Sequence, residues 1–227
     1  MSKVKVFVAL PRKKGVTEQY FHDHWRHPHA TWGLSMSGRA HYVQSHRLIT
    51  KCLGDSQTRF DGIAEIWFDN ESDAAAYNQD PIYKEKLAPD EPSFIDMRNV
   101  RFVVAAEEVL MSEPQLREGS NSEDLGWREQ DKPVTIKLMQ LFEPSVTNWA
   151  SQEDGELGRK IGAFRHVRCT PNALVHAKGA FVSGIRELWW PTLSAFESGV
   201  SSAPDAWTAL TQTPTLSTLL VSAERHL

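Results

Sequence analysis

A seven-residue stretch of this chain recurs at a fixed offset. Gly62-Ile63-Ala64-Glu65-Ile66-Trp67-Phe68 and Gly184-Ile185-Arg186-Glu187-Leu188-Trp189-Trp190 share glycine, isoleucine, glutamate and tryptophan in register, 122 residues apart. Both are rich in β-branched and aromatic residues, as strands are. A second echo pairs Val104-Ala105-Ala106-Glu107 with Val221-Ser222-Ala223-Glu224. A chain of 227 residues can be one large domain or two small ones, each able to bury a core. The repeat favours two copies of one small unit.

The element pattern agrees. Val4–Leu10 reads as a strand ended by Pro11 and Gly15, and Thr17 then caps a helix whose Tyr20, Phe21, His24 and Trp25 share one face. Pro28 should end or bend that helix at His27. Strands follow at about 40–50 and 60–68, then a helix from Glu71 interrupted by Pro81, Pro89 and Pro92, then a closing strand at 99–110. The polar stretch 113–132 reads as a linker. The order then restarts: strand 134–142, a helix-like run 144–158 anchored by Trp149, strands 163–170 and 180–189, a helix at 194–210, and a closing strand 216–224. The fold class expected is α+β, two tandem β-α-β-β-α-β units with antiparallel sheets packed into one barrel, bounded 1–112 and 133–227.

The halves differ in one respect. Six of the nine histidines fall between His22 and His46, four of them within His22–His29, and the second copy has no such cluster. Imidazole titrates near neutrality, so this asymmetry points to where proton transfer would occur. On the strand after the helix, Tyr42, Gln44 and His46 fall on one face, with Phe164, His166 and Arg168 at the matching parity of the second copy. Polar groups on one sheet face suggest the lining of a cavity. Glu65 and Glu187 occur in both copies, so a structural ion pair with Arg101 or Arg186 is the expected role. Trp67 and Trp189 read as packing residues that could also stack on an aromatic ligand.

Other classes lack support. Lys+Arg 25 against Asp+Glu 29 leaves a net charge of −4 with no basic stripe, so no nucleic-acid partner is expected. No stretch has the apolar length of a membrane span, and Met-Ser-Lys-Val-Lys-Val enters a strand directly, so a cytoplasmic protein is expected. Cys52 and Cys169 are too few for a disulfide framework and read as small buried thiols at strand ends. No Gly-rich phosphate loop, Gly-x-Ser-x-Gly elbow or Cys-x-x-Cys pair is present. The histidine spacings do not follow the i, i+4 rule of metal-binding helices; only His22/His29 or His24/His27 could approach each other, and no metal is expected.

Gly15-Val16-Thr17 leading into Phe21-His22-Asp23-His24-Trp25 and His27-Pro28-His29, then Gly62–Trp67, Asp90-Glu91-Pro92-Ser93-Phe94-Ile95-Asp96 and the closing strand with Glu107, together resemble the EthD family of the dimeric α+β barrel superfamily. The likeness covers essentially residues 1–112. It implies a barrel made within one polypeptide by pairing two sheets face to face, and it places His29 where the family has a helix-1 histidine. The superfamily spans cofactor-free monooxygenases, cyclases, isomerases, decarboxylases and dehydratases, so the resemblance leaves the reaction open.

The reading that follows is a cofactor-free lyase acting on a small aromatic or polycyclic metabolite. His29, His24, His46 and Tyr42 are the candidate acid/base groups, and Trp25, Gln44, Trp67 and Arg39 the candidate substrate contacts. A cofactor-independent monooxygenase or cyclase and a non-catalytic binder of a hydrophobic metabolite are the alternatives. A homodimer is compatible with the pattern.

Overall fold

The structure, a computed structural model, describes residues 4–57, 59–112 and 133–226. The stretch 113–132, expected as a linker, lies outside them. Eight strands carry the frame: β1 Val4–Leu10, β2 His41–Leu48, β3 Gly62–Phe68, β4 Arg101–Ser112, β5 Val134–Phe142, β6 Arg165–Pro171, β7 Gly184–Trp190 and β8 Thr215–His226. The helices are α1 Glu18–His24, the single turn α2 Thr31–Gly33, α3 Glu71–Ala76, α4 Ala88–Phe94, α5 Asp154–Lys160, α6 Leu193–Ser202 and α7 Pro204–Thr211.

All strands pair antiparallel in the closed order β1-β3-β2-β8-β5-β7-β6-β4. The two four-stranded sheets therefore meet edge to edge, through β2 with β8 and β4 with β6, and among the described strands none is left without a neighbour on either side. The halves use the same register: Lys5 lies opposite Trp67 as Lys137 lies opposite Trp189, and Leu10 opposite Gly62 as Phe142 opposite Gly184.

The closing-strand echo is displaced by one residue from the sequence match. Lys5 faces Ala105 and Lys137 faces Val221, so Glu108 rather than Glu107 corresponds to Glu224. A one-residue slip exchanges the faces of a strand. Glu107 consequently points into the barrel, where Lys5 reaches it at 3.3 Å, while Glu224 points outward to Arg26 at 2.6 Å.

Strand alternation divides the apolar residues into three clusters. Phe7, Ala9, Val43, Ile63, Met139 and Ile185 fill the barrel. Val4, Leu10, Phe21, Trp25, Ile66 and Phe94 pack the first half's helices on its outer face, and Leu138, Leu188, Trp190, Phe196 and Leu210 do so in the second half. The barrel centre also holds charge. Lys5 and Lys137 each bridge Glu65 and Glu187, with Nζ–Oε distances of 2.8 Å from Lys5 to both and 3.0 Å from Lys137 to Glu187. These four side chains are fully buried, and burial of each charge is offset by two partners of opposite sign. The arginine partners expected for Glu65 are not used, because Arg186 lies on the outward parity of β7 and bonds Asp154 at 2.8 Å.

Two helical expectations need correction. Residues 144–153 form turns, with helix only from Asp154, and Trp149 alone keeps its anchoring place against Phe142. The helix expected over 194–210 is two helices broken at Ala203 (φ −136°, ψ 62°), the residue ahead of Pro204. Cys169 is buried as expected, but Cys52 is exposed.

Candidate active site

Thr17 caps α1, its Oγ1 accepting from the Tyr20 amide at 3.2 Å. One turn apart, Phe21 and Trp25 are buried against β3 and α4. Trp25 lies over Gly62 so closely that a Cβ there would overlap its ring, and Trp149 lies over Gly184 in the same way. That contact explains the glycine heading both repeated strands. At His27 the backbone turns extended (φ −146°, ψ 126°), and the His27–Pro28 peptide is cis. Helical geometry resumes through Ala30, so His29 does not follow the spacing of an unbroken helix from His24.

Both histidines instead converge on one carboxylate. His24 Nε2 lies 2.8 Å from Asp90 Oδ1, and His29 Nδ1 lies 2.9 Å from Asp90 Oδ2. Each ring donates to the Asp90 carboxylate, which fixes the proton of His29 on Nδ1 and leaves Nε2 as its basic nitrogen. Burial pushes His29 below the ordinary histidine range, partly offset by Asp90.

The ring of His29 lines a cavity of about 490 Å³ between the outer face of the first-half sheet and its helices. One row of cross-strand neighbours, Val104, Val6, Ile66 and Tyr42, forms its floor, and Phe102, Val8 and Ala64 form the next. A few polar groups enter this apolar wall. Tyr42 Oη accepts from Trp25 Nε1 at 3.2 Å and Gln44 Nε2 at 3.0 Å, so its own proton is directed elsewhere, and burial pushes the phenol up to about 12. Glu91, adjacent to Asp90 on α4, accepts from Tyr83 Oη at 3.3 Å, and burial pushes its carboxyl up to about 7. Burial also raises the Tyr77 phenol. A smaller recess shares His29, Tyr42, Ile66 and Tyr77 with the cavity and adds Arg39, whose guanidinium is held by the carbonyls of Gly33 and Leu34.

The expected site residues therefore separate. His29, Tyr42 and Trp25 line the cavity, and Arg39 lines its recess. His24 stands behind Asp90, stacked on Tyr20. Gln44 and His46 share Tyr42's face but lie away from the cavity. Gln44 bonds the Trp25 carbonyl and Tyr42, while His46 contacts the Trp25 ring and His22 Nδ1 at 2.8 Å. Burial drives His46 down to about 2. Trp67 is on the opposite parity of β3, inside the barrel, with Nε1 donating to Glu107 at 2.9 Å. The pairs expected from helical spacing, His22/His29 and His24/His27, do not meet; His22 turns to His46 and His27 to Thr31. Asp90, Glu91, Tyr77 and Tyr83 were not anticipated as site residues. Asp90 and Glu91 lie in the stretch Asp90–Asp96 that carries the family resemblance, and no sequence signal marks Tyr77 or Tyr83.

An eight-stranded antiparallel α+β barrel with an apolar cavity under one half's helices defines the class. Residues 13–98 match the EthD domain family. No curated protein matches the sequence. Among solved structures, an anthrone oxidase-like protein aligns over 100% of this chain and 92% of its own at 14% identity, with a TM-score of 0.61. A candidate monooxygenase from Lactobacillus acidophilus NCFM aligns over 99% and 94% at 10% identity, with a TM-score of 0.52. A candidate chlorite dismutase aligns over 98% and 95% at 8% identity, with a TM-score of 0.53. At these identities the likeness is one of fold. Among the described residues, no helix is long and apolar enough to cross a membrane.

Proposed function

We propose that the chain is a cofactor-independent enzyme that ionises a small aromatic or polycyclic ketone or phenol in the first-half cavity, and that it acts as a lyase. The observation that carries this reading is the His29 ring on the cavity wall, oriented by Asp90 through Nδ1. A base held in this way, in an apolar enclosure, suits proton abstraction next to a carbonyl. In an elimination, His29 Nε2 takes a proton from the carbon beside the carbonyl. The electron pair moves into the enolate, whose oxygen accepts the Tyr42 proton as a hydrogen bond. The enolate then expels a β-hydroxyl, which takes the Glu91 proton and leaves as water. Return of the His29 proton to Glu91 through solvent closes the cycle, with substrate converted to unsaturated product plus water.

His29 below its ordinary range and Glu91 above its own are the opposite displacements that an acid/base pair requires. A second reading, a cofactor-independent monooxygenase, begins with the same ionisation and passes the carbanion to O₂; the fold shared with the anthrone oxidase-like protein favours it. The common register of the halves also supports residues 1–112 and 133–227 as tandem copies, and the first, which holds the cavity and His29, is the active one in this reading. Because the barrel closes within one chain, a second copy is not needed to complete it.

The test is turnover of hydroxylated polycyclic ketones by chelator-treated protein, under nitrogen and under air. Water loss under nitrogen is the expected result. Activity only with O₂ consumption would move the assignment to oxygenase, and stoichiometric binding with unchanged ligand would make the protein a binder.

A further inference from the structure

Beyond β6 the second half reaches into the first. After Pro171 the chain leaves the β4–β6 ladder and passes through Asn172–His176 against the cavity wall. Val104, a floor residue, has both main-chain groups engaged by this loop. Its N–H donates to His176 Nε2 at 2.9 Å, and its carbonyl accepts from the Asn172 amide at 2.8 Å. Asn172 Nδ2 donates to Glu71 Oε1 at 2.6 Å, and the His176 ring lies 6.1 Å from that of Phe102. Val104, Glu71 and Phe102 all line the cavity, and so does Val175 from the loop itself.

The sheet order sets the cavity's length. Tyr42 is on β2 and Phe102 and Val104 are on β4, with β3 and β1 between, so the floor spans three strand spacings, about 14 Å. Tyr42, His29 and Arg39 gather at the β2 edge, while Phe102, Val104 and Val175 put apolar side chains at the β4 edge, beside the Glu71 carboxylate that Asn172 holds. Phe102 (60%), Val175 (46%) and the neighbouring Leu174 (82%) leave much apolar surface exposed at this edge. Phe102 and Val175, both lining residues, thus carry apolar surface to the rim of the cavity.

We propose that Val175 is a specificity-determining residue, through which the second half supplies the end wall of the first half's substrate cavity. The substrate class is an amphipathic aromatic of about three fused rings. Its oxygenated end lies at His29 and Tyr42, and its apolar end against Phe102 and Val175. Asn172 and His176 are positioning residues that hold Val175 in place. This rests on reading the cavity as the substrate site.

The test is titration of the full chain with 1-naphthol (two rings) and 1,8-dihydroxyanthraquinone (three rings). Val175→Trp should weaken the three-ring probe by about tenfold or more, the scale on which pocket volume discriminates, and leave 1-naphthol nearly unchanged. His176→Ala should weaken the three-ring probe as well, with His176→Gln, which restores an acceptor near Nε2, recovering much of the loss. Val175 is half exposed, so unchanged thermal melting is expected for its variant. Equal effects on both probes, or none, overturn the proposal while leaving the cavity reading in place. Failure of the unaltered protein to bind either probe overturns both.

Discussion

Ala64 and Arg186 occupy the same rung of the two half-barrels, Ala64 opposite Val8 and Arg186 opposite Gln140. Both side chains point outward, beneath the helices of their own half. In the second half the guanidinium fills that space and bonds Gln140, Asp154 and the carbonyls of Trp149 and Leu210. In the first half a methyl group leaves the rung open, and the floor of the cavity is there. Ala64→Leu should therefore abolish binding of aromatic probes while the melting temperature holds or rises, since filling a cavity commonly adds about 0.5–2 kcal/mol. Titration and thermal melting of one variant check both halves of the statement.

Removing the base should separate chemistry from folding. His29→Ala is expected to lower turnover by about 10²–10⁴-fold, the usual contribution of one positioned acid or base. Asp90→Asn should also lower turnover, because its amide can donate to His29 Nδ1 and so favour the wrong tautomer. His166 holds the rung of Tyr42 in the second half, opposite Leu188 as Tyr42 is opposite Ile66. Its replacement by Ala should change stability rather than the rate, as measured by steady-state kinetics beside thermal melting.

The pH profile follows from the two displaced groups. As the proposed base His29 would act when neutral, so kcat/KM should rise with pH through a value below the ordinary histidine pKa of about 6.5. Glu91 acts when protonated, so activity should fall as pH rises through about 7. The result is a narrow bell. Glu91→Gln should remove the alkaline limb and lower the maximum, and retention of that limb would take Glu91 out of the mechanism.

The charges at the barrel centre make a separate prediction about folding. Lys137→Met leaves Glu65 and Glu187 sharing Lys5 alone and should cost about 3–5 kcal/mol, the usual loss when one partner of a buried ion pair is removed. Adding Glu187→Leu should recover part of that loss, because a matched apolar pair strands less charge. Denaturant titration of the single and double variants measures the coupling.

The frame was legible in the sequence because strand alternation and the Gly62/Gly184 match are local signals that survive in both halves. β5 was bounded as observed, and the helix break at His27 followed from Pro28. The site was legible only in part. Its histidines are clustered in sequence, but the carboxylate joining His24 to His29 lies 61 residues beyond His29, and spacing rules for an unbroken helix do not reach it. Trp67 shows the opposite limit. Its residue type suits a ligand contact, but strand parity alone does not say which face of a barrel sheet looks inward. The role of Glu65 was obscured because its lysine partners come from the first strand of each half.

The most direct test of the central claim, that His29 ionises a carbon acid in the first-half cavity, is solvent deuterium exchange. Anthrone, a tricyclic aryl ketone with an acidic methylene, would be incubated in deuterated buffer with chelator-treated protein under nitrogen, and loss of the methylene proton signal followed by NMR. Exchange faster than in buffer alone is expected, with His29→Ala returning it to the buffer rate. Exchange equally fast with His29→Ala, or no acceleration by the unaltered protein, would contradict it.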